Sequence, residues 1–305
     1  HPFSTRVISS SLTVANELVF AGTHNRMLHA LDIKTGKQRW SYTTEGQIFG
    51  SATVETGSIY FGSTDGHLYS LDARAGELLW RSKRNYSSQS IERITSSPTV
   101  NQGIVVVGSQ DHSLYILDAA SGDRRYLLPV GNPVNNAITV AGDHAFFTSS
   151  GVVVAVDYTK RNFPFQRTIW SVWHQLAIWG ITSPPPHPPG VLWVRGIEGR
   201  VDGSLATADG RLFVATGGGI LSAMDTATGK PLWVLEGLEP LHSSPIISGD
   251  TVVQTASDGT IYGFDAMSGG QRWRLSVGEG IAASPILVNG TLYVPTVEGS
   301  LYALQ

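Results

Sequence analysis

Apolar and polar residues alternate along most of this chain, in short runs that are separated by turn-forming residues. Residues 18–32 and 58–72 are typical, because in each a tight polar turn lies between two alternating runs. A period of two residues predicts β-strands, and short turns between such strands predict antiparallel hairpins. The pattern therefore predicts an all-β chain.

The hairpins belong to a repeat of about 40 residues, which is a length typical of propeller blades. The repeated turn reads DIKTGKQRW, DARAGELLW, DAASGDRRY, DTATGKPLW and DAMSGGQRW at residues 32–40, 72–80, 118–126, 225–233 and 265–273. The Asp that ends the third strand recurs at Asp32, Asp72, Asp118, Asp157, Asp225 and Asp265, and Gln305 occupies the seventh such position. Seven units of four antiparallel strands predict a seven-bladed β-propeller.

The two ends of the chain are predicted to complete each other. Repeat spacing aligns Ser11 with Ser51, so the chain begins within an outer strand and ends with a third strand. We expect residues 3–7 to supply the outer strand of the C-terminal blade, which would close the ring and leave no long sheet edge exposed. Residues 1–305 are then a single propeller domain. Because no leader-like segment follows His1, we also expect the chain to come from a longer product.

The pattern Ala-x-Asp-x-x-Thr-Gly-x-x-x-Trp is complete at residues 30–40 and 223–233. It resembles the tryptophan-docking motif of pyrroloquinoline-quinone-like repeat propellers. We name its aromatic residues the docking tryptophans: Trp40, Trp80, Trp193, Trp233 and Trp273. We interpret them as structural, since an aromatic side chain buries a large surface between neighbouring sheets.

The resemblance is to the non-enzymatic branch of this repeat family, which includes outer-membrane assembly propellers and the sensor propellers of some kinases. It implies a protein-binding scaffold as the first hypothesis. The alternative is an extracytoplasmic sensor domain that binds a small ligand at the mouth of the channel. A quinone-dependent dehydrogenase is the third hypothesis, because those enzymes share the repeat.

The repeat is interrupted between Asp157 and Trp193, where the Asp-to-Trp spacing is 36 positions instead of the usual 8. We assign an insertion to residues 158–191, in the turn between the third and fourth strands of its blade. Residues 168–180 are predicted to form a short helix, and a Pro-rich segment follows at 184–189. The candidate partner-binding residues are Trp170, Trp173, His174, Leu176 and Trp179.

Three interpretations of this helix remain open. It could bury its tryptophans against the propeller, or it could present an exposed apolar surface to a protein partner. It could also contact a membrane interface through residues 168–180, where tryptophan is favoured. In that case Lys160, Arg161 and Arg167 would suit anionic headgroups.

The loops that join the outer strand of one blade to the inner strand of the next form what we name the top face. One of them, between Trp80 and Ser97, is longer than usual and rich in cations. Mouths of propellers are common ligand sites, so polar residues in these loops are candidates for a binding pocket. We select Arg81, Arg84, Arg93, Asn135, Arg200 and His242.

Composition narrows the chemistry that we expect. A formal net charge of −3 provides no basic field for nucleic acid. The chain has no cysteine, and its histidines form no metal-binding spacing such as His-Glu-x-x-His. The glycines at 217–219 lie in a predicted strand-to-strand turn and are no phosphate loop. We therefore predict no catalytic residue, metal or cofactor. The resemblance to assembly and sensor propellers implies an extracytoplasmic location.

Overall fold

The computed structural model describes residues 10–83, 93–161, 166–183, 190–281 and 283–305. The chain divides into two compact units. Unit 1 comprises His1–Ile138 and Val156–Val191, and unit 2 comprises Thr139–Ala155 and Leu192–Gln305.

Unit 1 contains three antiparallel four-stranded sheets. The first is β1 (Thr13–Ala15), β2 (Leu18–Gly22), β3 (Met27–Asp32) and β4 (Gln38–Thr43). The second is β5 (Thr53–Glu55), β6 (Ser58–Gly62), β7 (Leu68–Asp72) and β8 (Leu78–Arg81). The third is β9 (Thr99–Asn101), β10 (Ile104–Gly108), β11 (Ser113–Asp118) and β12 (Arg124–Pro129).

Four further sheets follow, and nearly all of their residues belong to unit 2. They are β13 (Thr139–Ala141), β14 (His144–Ser149), β15 (Val152–Asp157) and β16 (Val191–Gly196); β17 (Ala206–Ala208), β18 (Arg211–Thr216), β19 (Ile220–Asp225) and β20 (Pro231–Leu235); β21 (Ile246–Ser248), β22 (Thr251–Thr255), β23 (Thr260–Asp265) and β24 (Gln271–Ser276); and β25 (Ile286–Val288), β26 (Thr291–Pro295) and β27 (Leu301–Leu304). The last sheet has three strands among the described residues.

In each sheet the strands follow chain order, so every connection within a sheet is a hairpin. The two middle strands are buried and carry most of the apolar residues, whereas outer strands such as β4 are largely exposed. In unit 1 the first two sheets share a core that contains Phe20, Leu28, Ile59 and Phe61. Burial of large apolar side chains between sheets is the main driving force for folding of such a unit.

Neighbouring sheets within a unit are joined through the docking tryptophans. The indole N–H of Trp40 donates to the carbonyl of Ala73 at 3.2 Å, and that of Trp80 donates to Ala119 at 2.9 Å. In unit 2 the corresponding bonds are from Trp193 to Thr226 and from Trp233 to Ala266. Each acceptor lies directly after the Asp of the next repeated turn. The structural interpretation of these four tryptophans therefore agrees with their contacts.

A serine just before the inner strand of most blades links the same sheets a second time. In unit 1 the Ser11 N–H donates to Ser51 Oγ at 3.0 Å, and the Ser51 N–H donates to Ser97 Oγ at 2.9 Å. In unit 2 the Ser204 N–H bonds to Ser244 Oγ in the same way. These bonds satisfy backbone N–H groups that have no partner within their own sheet.

The fold class is all-β, a β-propeller of seven blades, as the repeat predicts. Closure of the ring by residues 3–7 lies outside the described residues and stays a prediction. The assignment of residues 1–305 to one domain also stays a prediction.

The structure contains one helix among the described residues, α1 (Gln166–Ile178), which lies in the chain between β15 and β16. It overlaps the helix predicted at residues 168–180. The Pro-rich segment 184–189 lies outside the described residues. In the parts of the chain that the structure describes, no helix is both long and apolar enough to cross a membrane.

Hydrogen bonds lower the pKa of the Asp in several of the repeated turns, which makes the fold sensitive to acid. The Thr35 hydroxyl and N–H, together with the Arg39 side chain, donate to Asp32 and lower its pKa to about 2. A carboxylate with a lowered pKa stabilises the fold above its ordinary pKa of 3.8, and this contribution is lost as the pH falls towards 2. We expect the midpoint of urea unfolding to fall over that interval, and to fall less steeply in Asp32→Asn. An unchanged slope would contradict the assignment.

Candidate binding surfaces

The insertion places a short, self-contained helix after β15. Its C-terminus ends in a Schellman motif, in which the Ile181 N–H bonds to the Leu176 carbonyl and the Gly180 N–H to that of Ala177. Gly180 has a φ of +72°, which this motif requires. The indole N–H of Trp173 then donates to the Ser183 carbonyl at 3.1 Å and holds the following segment against the helix.

Five apolar side chains on α1 and the residues directly after it are exposed. We name this set the α1 face: Ile169, Val172, Ile178, Trp179 and Ile181, each at least half exposed. Trp179 is 70% exposed, which is far from the burial expected if the helix packed its tryptophans against the propeller. Exposed apolar groups on neighbouring turns are typical of interaction surfaces.

The candidate partner-binding residues differ in how far they are exposed. Trp179 belongs to the α1 face, and His174 is exposed on the polar side. Trp173 and Leu176 are half-buried. The side chain of Trp170 lies outside the described residues.

The cations next to α1 are less available than the sequence suggested. Lys160 lies 3.2 Å from Asp157, measured from Nζ to Oδ2, and this ion pair neutralises its charge. Arg161 is exposed, and the side chain of Arg167 lies outside the described residues.

On the top face of unit 1, two candidate residues line the same cleft. Arg93 and Asn135 lie in consecutive inter-blade loops, and the Thr95 hydroxyl donates to Asn135 Oδ1 at 3.2 Å. Arg81 lies within β8, opposite Tyr69, and is not among the residues that line this cleft. Arg84 lies outside the described residues.

On the top face of unit 2, Arg200 and His242 meet through a carboxylate. Arg200 Nε lies 2.6 Å from Asp202 Oδ1, and His242 Nδ1 lies 2.8 Å from Asp202 Oδ2. Gly217 allows this close packing, since a Cβ there would lie 3.1 Å from the His242 ring. One imidazole nitrogen is therefore fixed by the carboxylate, which orients the ring.

Sequence reasoning missed Asp202, although the repeat contains the signal. Asp202 and His242 are 40 residues apart, as are Thr95 and Asn135. Each of these residues lies two positions before the repeated serine or its equivalent. Side chains at this position in consecutive blades therefore contact one another.

The described residues contain no group of three His, Asp or Glu side chains arranged to hold a metal ion. The chain also has no cysteine.

Two solved structures resemble this chain in fold. BamB from Moraxella catarrhalis aligns with a TM-score of 0.72 and 18% identity, over 97% of this chain and 82% of that one. The computationally designed Ika8 protein aligns with a TM-score of 0.77 and 16% identity, over 96% and 82%.

Shorter similarities link the chain to curated enzymes. The dehydrogenase subunit of a quinone alcohol dehydrogenase from Gluconobacter oxydans (strain 621H) is 36% identical over 78 residues. The cytochrome c 1-butanol dehydrogenase of Thauera butanivorans is 27% identical over 88 residues. These segments cover 22% and 25% of this chain, but only 10% and 13% of the enzymes.

A family model covers nearly the whole sequence. The model described as "Outer membrane protein assembly factor BamB" matches residues 3–171 and 167–305. The match spans all seven blades, together with the repeated turns and docking tryptophans that define them. The chain therefore belongs to the family of the outer membrane protein assembly factor BamB.

Proposed function

We propose that this chain is a non-catalytic, protein-binding propeller and that a protein partner docks on the α1 face. The observation that carries the proposal is the exposure of the α1 face, which consists of Ile169, Val172, Ile178, Trp179 and Ile181. Tryptophan is among the side chains that most often dominate the binding energy of an interface, and the buried core of an interface is more apolar than its rim.

The spacing along α1 indicates the chemistry of the partner. Ile169, Val172, Leu176 and Trp179 follow one another at intervals of three, four and three residues, so they form one stripe along the helix. A stripe of this kind fits an apolar groove on another protein. A membrane is the less favoured partner, because Lys160 is already paired with Asp157 and leaves few cations for headgroups.

The family suggests where such a partner would be found. BamB is an outer membrane protein assembly factor. By analogy we propose an extracytoplasmic location for this chain and a role in holding other proteins together.

The proposal is tested by placing a photo-crosslinking amino acid at Val172 in the organism that encodes the chain. We expect a discrete adduct with one protein, and we expect binding of that protein to weaken by about 2 kcal/mol or more in the double variant Val172→Gln/Trp179→Gln. The matched control is Met267, which is 62% exposed on the Asp265 turn of unit 2 and should give no such adduct.

The companion measurements exclude a folding defect and the other partners. Deletion of residues 162–190 should leave the thermal unfolding temperature nearly unchanged. The reason is that the hydrogen bonds of α1 are mainly within the helix and with the residues directly after it. Unfolding of this deletion variant would mean that α1 is part of the core and would overturn the proposal. Binding to anionic phospholipid vesicles that depends on Val172 and Trp179 would assign the face to a membrane instead.

Quinone-dependent oxidation is the competing enzyme hypothesis, and it rests on the short dehydrogenase matches. It predicts that added pyrroloquinoline quinone and calcium bind with a change in visible absorbance. We expect no such change.

A further inference from the structure

Three consecutive blades of unit 1 enclose a cleft of about 430 Å³ on their top face. It lies between the loop that follows β4, the loop that precedes β9 and the loop that follows β12. The described residues that line it are Gln47, Phe49, Thr64, Arg93, Thr95, Gln110 and Asn135. This volume falls within the range that accommodates small ligands in proteins.

The lining is rich in hydrogen-bond donors. The Arg93 guanidinium has no ion pair or hydrogen bond with any described residue, and neither have the side-chain amides of Gln47 and Gln110. Asn135 Oδ1 accepts a hydrogen bond from the Thr95 hydroxyl, so the amide hydrogens of Asn135 are available to a ligand. The Thr64 Oγ1 accepts from the Gln47 N–H, so its hydroxyl hydrogen is also available.

Among the lining residues that the structure describes, none is a carboxylate. Asp65, which follows Thr64, is engaged elsewhere, because its Oδ2 accepts from the N–H groups of Glu45 and Gly46 and from the Tyr69 hydroxyl. The described lining residues thus carry one formal charge, that of Arg93, and it is positive. This differs from the top face of unit 2, where Asp202 neutralises Arg200.

We propose that this cleft binds the carboxylate of a small organic acid or of an acidic peptide. Arg93 is the charged anchor, since a guanidinium fork matches the two oxygens of a carboxylate. The amides of Gln47, Gln110 and Asn135 donate to the remaining acceptors. Phe49, whose ring centroid lies 4.9 Å from that of His24, provides the apolar wall for the body of the ligand.

A single arginine favours a carboxylate over a phosphate. A phosphate group carries close to two charges at neutral pH, and it usually meets several cations or a helix N-terminus. The described lining offers one cation and no helix. This cleft shares no residue with the α1 face. A test of carboxylate binding in the cleft is therefore independent of the protein partner proposed for the α1 face.

Titration calorimetry with defined probes tests the site. The probes are succinate, the capped tripeptide acetyl-Gly-Glu-Gly-amide, and its neutral counterpart acetyl-Gly-Gln-Gly-amide. We expect one or both acids to bind and the Gln peptide not to bind, with Arg93→Gln weakening the affinity about tenfold or more. The matched control is Arg74→Gln, which makes the same charge change on the exposed Asp72 turn.

The pattern of binding identifies the source of the carboxylate. Binding of succinate alone assigns the cleft to small organic acids, and binding of the Glu peptide alone assigns it to acidic segments of a partner. The proposal is overturned if neither acid binds at millimolar concentration, if the Gln peptide binds as well as the Glu peptide, or if Arg93→Gln and Arg74→Gln behave alike.

Discussion

Trp193→Ala is expected to destabilise the protein by about 3–5 kcal/mol, which is the usual cost of removing a buried tryptophan. Trp193 is 5% exposed, its ring lies 5.9 Å from that of Phe146, and its N–H donates to the Thr226 carbonyl at 2.9 Å. The substitution leaves a cavity between two sheets of unit 2 and removes the donor to that carbonyl. The change is measured as the loss in free energy of unfolding in urea.

Trp273→Ala is the matched control, because Trp273 occupies the same repeat position. It is 37% exposed, and its indole N–H has no acceptor among the described residues. We expect it to cost less than half as much as Trp193→Ala. Equal costs for the two variants would contradict the view that the next blade and its carbonyl provide the stabilisation.

Gly219→Ala is the second substitution with a large expected effect. Gly219 lies in the turn between β18 and β19 with a φ of +76°, and a Cβ there would lie 2.0 Å from the Leu238 carbonyl oxygen. The left-handed conformation costs a residue with a side chain about 1–2 kcal/mol. Overpacking against backbone adds about 1–3 kcal/mol. We therefore expect a loss of about 2–5 kcal/mol in the free energy of unfolding.

The neighbouring Gly218 provides the control within the same turn. A Cβ at Gly218 would have Thr216 Oγ1 as its nearest neighbour, at 3.7 Å, and Gly218 is not among the glycines with positive φ. Gly218→Ala should change stability by about 1 kcal/mol or less. If both variants unfold at the same urea concentration, the close approach of Gly219 to Leu238 is not a constraint on the fold.

The glycines at 217–219 also illustrate what the local pattern could predict. Sequence reasoning placed them in a strand-to-strand turn rather than in a phosphate loop, and the structure confirms the turn between β18 and β19. The reason is that no helix follows them. The close approach of Gly219 to Leu238 could not be predicted from the sequence, because Leu238 belongs to the loop after the next hairpin.

In the insertion, too, the sequence predicted the local structure but not the tertiary contacts. Its helix could be predicted, since apolar residues recur with helical periodicity over residues 168–180 and Gly180 can end a helix. Whether its tryptophans were buried could not be predicted, because an amphipathic helix has the same pattern in a core and in an interface. The exposure of Trp179 and the half-burial of Trp173 follow from how the Ser183 segment folds back on the helix.

The amino-acid sequence by itself determined the strands, the turns, the number of blades and the role of the docking tryptophans. These depend on periodicity and on short-range turn chemistry, which repeat every 40 residues or so and therefore reinforce one another. Only the tertiary structure decided which polar side chains meet. Thr95 and Asn135 lie in different inter-blade loops, as do Asp202 and His242, and contacts between side chains from different loops depend on blade packing rather than on any local pattern.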